Sequence, residues 1–276
     1  MATARTEELR ALAQRVADEL PAESAVEIVL TGSVSRGAAD ELSDIEMLVV
    51  SPERLELGEC FRLVGAAGLA GLDTWGPPDT PARRVFGYRD AVPVETVWWD
   101  RSYAESRVDA LLTGDTPSTA DALVHGVSLR SAGLLAAWQA RLRAYPPELA
   151  SARIEEAALR WCGYAPAGLL TILRPGDSLA LAEWLVDAAT RVLVIVYAVN
   201  RVWQPTTKRL DDRLRDLDVQ PDRLAERIGA SLAEPDSRRA LRLMTELQAE
   251  ALALAPSGPN VERARVWTAE ALVLLR

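Results

Sequence analysis

Cysteine and histidine are scarce in this sequence: Cys60 and Cys162 are its two cysteines, and His125 is its one histidine. The cysteines lie far apart and form no metal-spaced pair. That argues against a disulfide framework or a thiolate zinc site and fits a reducing, cytoplasmic compartment. A lone histidine between Val124 and Gly126, in a helical stretch, reads as structural and disfavours Ser-His-Asp or Cys-His chemistry. Runs of Lys and Arg are also missing. With a net charge of −9 and a pI near 4.9, the chain offers no counterion-displacing surface, so no nucleic-acid partner is expected. Such an acidic surface suits a cationic or neutral small molecule, or simply serves solubility.

Uncharged apolar runs of membrane length are lacking too. The longest apolar stretch, residues 179–200, carries Glu183, Asp187 and Arg191 and reads as a helix buried in a soluble protein. The opening residues, Met-Ala-Thr-Ala-Arg-Thr-Glu-Glu, are too polar for a signal peptide. Neither internal repeats nor low-complexity segments occur. A soluble intracellular protein without a membrane partner is the expectation. The 276 residues, 49% hydrophobic and 26% charged, suffice for one large domain or two modest ones with real cores.

Apolar positions at helical spacing (Leu9, Leu12, Ala13, Val16, Leu20) predict a helix over 5–20 that stops at Pro21. Val26 to Leu30 reads as a strand and Thr31 to Gly37 as a small-residue turn, with loop or short helix over 38–42. A second strand over 45–50 ends at Ser51-Pro52, and a helix is expected over 53–70. Pro77-Pro78 and Pro81 mark a loop, and Val85–Tyr88 with Val92–Trp99 read as hairpin-connected strands around Arg89-Asp90. Helical periodicity then dominates: 119–143, 147–163, 179–201, 207–217, 221–233, 236–254 and 260–275. The expected fold class is α+β, a mixed-sheet domain over 1–115 followed by an all-helical domain over 116–276.

The chemistry concentrates between the first two strands. Gly32 lets backbone approach a ligand closely, and Ser33 with the amides of the turn can donate to phosphate oxygens. Arg36 can reach the same anion or pair with Asp40 or Glu41. Strand alternation puts Asp44 and Glu46 on one face with Ile45 in the core. Two carboxylates side by side repel unless a cation lies between them, and hard oxygen ligands suit Mg²⁺. Glu95 stands on the strand over 92–99, where an antiparallel neighbour would bring it beside the pair; otherwise it is a hairpin surface carboxylate. Three such groups can hold two metal ions around an in-line phosphoryl displacement, with Glu95 accepting the proton of an attacking hydroxyl.

Gly32-Ser33, a gap, and Asp44-Ile-Glu46 resemble the Gly-Ser…Asp-x-Asp/Glu signature of the nucleotidyltransferase superfamily that includes DNA polymerase beta. A helical second half is similar to the branch that modifies aminoglycosides and lincosamides. Asn200-Arg-Val-Trp-Gln-Pro-Thr-Thr-Lys208 resembles the Asn-Arg-x-aromatic-x-Pro-x-x-Lys stretch of bacterial small-molecule members. The likeness is tight over residues 26–50 and loose elsewhere, and it departs at Glu46, where Asp is commoner. It implies transfer of a nucleoside monophosphate, from ATP or another nucleoside triphosphate with Mg²⁺, to a hydroxyl of a small acceptor, for which the acidic surface suits a cation. Asp44, Glu46 and Glu95 would be the catalytic metal ligands, and Gly32, Ser33, Arg36 and Lys208 the triphosphate cradle. The helical domain would help hold the acceptor, and a homodimer is left open.

Each signal has a plainer alternative. Asn200 and Lys208 can be ordinary helix-end groups. Glu183, Asp187 and Arg191 can form an intrahelical ladder or face an acceptor. Trp98, Trp99 and Trp203 can stack on a base or fill a core. Ser35 is a turn former. Two other functions fit the same residues: modification of protein or tRNA, as in toxin–antitoxin members, and a degenerate nucleotide-binding regulator.

Overall fold

A sheet carrying the carboxylate strands side by side is assembled within the first of two compact units, Met1–Ala144 and Tyr145–Arg276. The computed structural model describes residues 2–76, 80–163, 165–174 and 176–276, so the expected Pro77-Pro78 loop lies outside the described residues.

In the first unit, α1 (Ala4–Glu19) opens on Thr3, whose hydroxyl accepts from the Thr6 amide. Arg130 closes it, donating at 2.7 Å to each of the Ala17 and Leu20 carbonyls that the last turn leaves open. Six strands follow in the spatial order β3-β4-β5-β2-β1-β6. They are β1 (Glu27–Thr31), β2 (Ile45–Ser51), β3 (Ala70–Asp73), β4 (Arg83–Arg89), β5 (Val92–Asp100) and β6 (Val127–Arg130). Every pairing is antiparallel except β2 with β5. Between β1 and β2 the chain makes the one-turn helix α2 (Gly32–Ser35), and after β2 comes α3 (Leu57–Ala66).

Alternation sorts the sheet into two faces. Ile28, Leu30, Met47, Val49, Val94 and Trp98 pack with Leu9, Ala13 and Val16 of α1 and Cys60, Leu63 and Val64 of α3 into one core. The opposite face carries Val29, Leu48, Val50 and Trp99, against which α4 (Arg101–Leu112), α5 (Pro117–Val124) and α6 (Leu134–Arg143) are laid. Glu27 ties this layer down. Fully buried on β1, its carboxylate accepts from the Ser128 hydroxyl, from the Ala132 amide at 2.8 Å and from the Leu134 amide at 3.1 Å, capping α6 from the sheet.

The second unit is helical: α7 (Pro147–Trp161), a 3₁₀ stretch over Pro166–Leu173, α8 (Ser178–Val199), α9 (Leu210–Leu214), α10 (Leu224–Ala233), α11 (Ser237–Leu254) and α12 (Pro259–Leu274). Its core gathers Ile154, Trp161, Val192, Val196, Leu241, Met244, Leu247 and Trp267. Among the described residues no helix is long and apolar enough to cross a membrane.

The α+β class and mixed sheet agree with the sequence reading. Three local features differ. The expected helix over 119–143 is two helices with β6 between them. Gly126 fits where a Cβ would stand 2.7 Å from the Val29 side chain, and Gly133 takes φ +85°. Those two glycines break the helix and let Val127–Arg130 pair with β1. Because β6 belongs to the sheet and Glu27 holds α6, the first unit runs to Ala144, past the boundary expected near 115. At the other edge, β3 begins at Ala70, where helix was expected, since Gly68 at φ +75° ends the helical geometry.

Candidate active site

The two strands that bear the carboxylates meet in parallel. Glu46 of β2 is the direct partner of Glu95 of β5, and Thr31 at the end of β1 is the partner of Glu46 on its other side. The neighbour that brings Glu95 beside the pair is thus parallel, not antiparallel as expected; its antiparallel neighbour, β4, opposes it with Phe86. A parallel pair needs a long crossover, and residues 52–91 supply it through α3 and the β3–β4 pair. In-register partners project to the same face about 4.8 Å apart. Asp44 stands immediately before β2, part-exposed like Glu46, with Ile45 between them wholly buried, so the predicted alternation holds.

The turn above these residues is shaped around Glu46. Gly32 has φ +70°, and a Cβ there would stand 2.0 Å from Glu46 Oε2. The carboxylate thus lies against the Cα of Gly32, in space that any other residue would fill. Ser33 donates to Ser43 Oγ at 3.1 Å, and Ser43 donates to Asp40 Oδ1 at 3.0 Å. This chain of hydroxyls braces the loop that delivers Asp44. The Asp44 side chain itself makes no hydrogen bond or ion pair among the described residues, although it is half-buried. A part-exposed carboxylate without a protein partner stays hydrated and open to a cation. The side chains do not already form a cage, however. Among the described residues no group of three His, Cys, Asp or Glu stands ready to hold a metal.

The carbonyl side of the turn is tied from behind. Arg10 of α1 donates to the Val34 carbonyl at 3.1 Å and the Ser35 carbonyl at 2.8 Å. Ser35 Oγ donates at 3.0 Å, and Arg36 Nη1 at 3.1 Å, to the Gly32 carbonyl. With those carbonyls occupied, the amides that open α2 face the other way, the orientation that suits an anion. Arg36 pairs through Nη2 with Asp121 of α5, rather than with Asp40 or Glu41, and both side chains are about nine-tenths buried. His125 Nδ1 lies 3.1 Å from Asp121 Oδ1 and 3.4 Å from Arg36 Nη2, a structural position as its isolation suggested.

Sequence reasoning passed over Arg10 and Asp121. The signal for Asp121 was present, a single carboxylate within the apolar Ala120-Asp-Ala-Leu123 of a short helix. Arg10 gave none beyond lying next to the apolar stripe.

The remaining candidates lie in the second unit or in cores. Lys208, the chain's one lysine, is exposed in the turn before α9. Asn200 is spent on structure: its side-chain amide donates at 2.7 Å to each of the Val196 and Val219 carbonyls, and its Oδ1 accepts from the Val219 amide. Asp187 and Arg191 form the intrahelical pair, at 2.7 Å for Nε, and Glu183 is exposed. Trp98, Trp99 and Trp203 are all buried. Trp98 donates to Thr96 Oγ1, Trp99 meets Tyr103 edge-on, and Trp203 packs on Tyr145 at 4.5 Å.

A family model for the nucleotidyltransferase domain matches residues 9–76. That span takes in the Gly-Ser turn, Asp44 and Glu46, and it ends before Glu95 and before the whole of the second unit. None of the curated proteins matches the chain. Among solved structures, a nucleotidyltransferase-like protein from Exiguobacterium sibiricum aligns over 99% of this chain and 74% of its own, with 9% identity and a TM-score of 0.38. A likeness that distant has no bearing on activity.

Proposed function

We propose that this protein transfers a nucleoside monophosphate, from ATP or another nucleoside triphosphate, to a hydroxyl of a small acceptor and releases pyrophosphate. The observation that carries the reading is the in-register pairing of Glu46 with Glu95 directly beneath the Gly32 turn, within and next to the segment that matches the nucleotidyltransferase domain. Gly32 and Ser33 present the turn to the triphosphate. Asp44, Glu46 and Glu95 fit Mg²⁺ in kind: they are hard oxygen donors on or next to adjacent strands, and Asp44 makes no hydrogen bond or ion pair among the described residues. A bound divalent ion would supply neutralisation of charge developing on the triphosphate.

Glu95 is assigned the proton of the attacking hydroxyl, which leaves the acceptor oxygen to form the new P–O bond as the bond to pyrophosphate breaks. The remaining work is positioning: a rigid strand pair holds the carboxylates, and a clamped turn holds the phosphates. The acidic balance of the chain favours a cationic acceptor of aminoglycoside type, consistent with the antibiotic-modifying branch. Asp44→Asn should abolish Mg²⁺-dependent pyrophosphate release in the presence of an aminoglycoside panel and ATP. Full activity in that variant would refute the site, and nucleotide binding without turnover on any acceptor would favour a regulator.

A further inference from the structure

Arg36 is the residue of the Gly-Ser turn whose placement departs most from a simple anion site. A guanidinium at that point would ordinarily be expected on the phosphates. Here Nη2 is turned inward to Asp121, and Nη1 donates to the Gly32 carbonyl at 3.1 Å. Asp121 is itself buried at 6% exposure on α5, an element that packs under β1. His125 Nδ1 lies 2.9 Å from the Asp121 backbone carbonyl and 3.1 Å from Oδ1, so the ring closes off the other side of the carboxylate. The fork geometry of arginine makes the two contacts interdependent, because one rigid plane serves both the carbonyl and the carboxylate.

We propose that Asp121 is a positioning residue for nucleotide binding: it holds Arg36 away from the phosphates so that the guanidinium fixes the Gly32 carbonyl, and with it the amides at the mouth of the turn. Arg36 then acts on the triphosphate through the backbone rather than by contact. The inference rests on the nucleotidyl-transfer reading of this turn and adds to it a buried ion pair, from a helix outside the matched segment, that sets the turn's orientation.

The test compares the full-length protein with D121N, R36Q, the double variant and D121E. Affinity for Mg²⁺-ATP and hydrogen exchange of the peptide spanning residues 30–38 are read alongside thermal melting. The double variant removes both charges together, which guards against a buried unpaired ion unfolding the protein. D121N and R36Q should each weaken ATP binding about 10-fold, as loss of an orienting partner does. The double variant should be no weaker than either single variant. The turn amides should exchange faster in all three, D121E should recover part of the affinity, and KM for ATP should rise more than kcat falls. ATP binding by D121N as tight as wild type, with a loss in R36Q alone, would show that Arg36 touches phosphate directly and would overturn the proposal. Additive losses, or turn amides that exchange as in wild type, would do the same. If the unmodified protein bound none of the four Mg²⁺-nucleoside triphosphates, the functional reading itself would fall, an outcome distinct from loss of coupling in a protein that binds.

Discussion

Gly32 meets two demands at one position: a left-handed backbone and an absent side chain. Gly32→Ala would meet strain of about 1–2 kcal/mol from the positive φ, and its methyl would displace the Glu46 carboxylate lying 2.0 Å from that point. The expected outcome is a modest fall in melting temperature with a much larger loss of nucleotide-dependent activity, measured on the same preparation. Asp44→Asn should separate the two effects further. With no protein partner to lose, it should leave unfolding free energy within about 0.5 kcal/mol of wild type by denaturant titration, while pyrophosphate release stops. Cys60 gives a pH-dependent signature. Burial pushes its thiol up from 9.0 to about 12. A raised folded-state pKa favours the native state below pH 9, and that contribution is lost as the pH climbs toward 12 and the unfolded chain ionises first. Iodoacetamide at pH 8 should therefore modify Cys162 while sparing Cys60 until denaturant is added; rapid native labelling of Cys60 would contradict its burial. At this scale the sequence revealed which residue types belong together, since a Gly-Ser turn before Asp-Ile-Glu is a local pattern. It could not reveal that Arg36 is spoken for, because Asp121 lies 85 residues away and only the folded layer brings them together.

Elements were legible in proportion to how far their pattern is self-contained. α1 has a full apolar stripe and a proline stop, and β2 has a β-branched run, so both were readable. β6 has four residues with no alternation of burial, and its place in the sheet comes from pairing with β1 rather than from its own preference. The same holds for β5. Its strand character was evident from Val94, Val97 and Trp99, but its direction relative to β2 depends on a crossover that no local signal encodes. Glu27 governs the least legible part. Its carboxylate supplies the cap that Gly133, the residue preceding α6, lacks the side chain to give. Glu27→Ala should leave the buried Leu134 amide without an acceptor, and the exposed Ala132 amide to water, and cost about 2 kcal/mol of stability. A chevron or urea titration would read this. A loss below a few tenths of a kcal/mol would mean that α6 is held by its apolar side alone, through Leu135, Trp138 and Leu142.

At the scale of the molecule, each unit has its own apolar core, one between the sheet and α1 with α3, the other among the helices after Tyr145. A fragment over residues 1–144 should therefore fold cooperatively, with native-like near-ultraviolet circular dichroism. A fragment ending at 115 should not, because it lacks β6, α6 and the groups that satisfy Glu27 and cap α1. Cooperative unfolding of the shorter fragment would restore the boundary that helical periodicity suggested. The division into a sheet half and a helical half was visible in the pattern of apolar residues. Its location was not, since α5 and α6 are helices by sequence and sheet partners by packing. The parallel contact of β2 with β5 also carries a consequence for time. Glu46 and Glu95 become neighbours only when roughly fifty residues of intervening chain have closed into a crossover, a non-local event that carries the entropy of closing that loop. A chain still emerging from the ribosome at β4 would have its Gly32 turn but not Glu95. The site proposed at this strand pair would stay incomplete on the nascent chain until that crossover had closed.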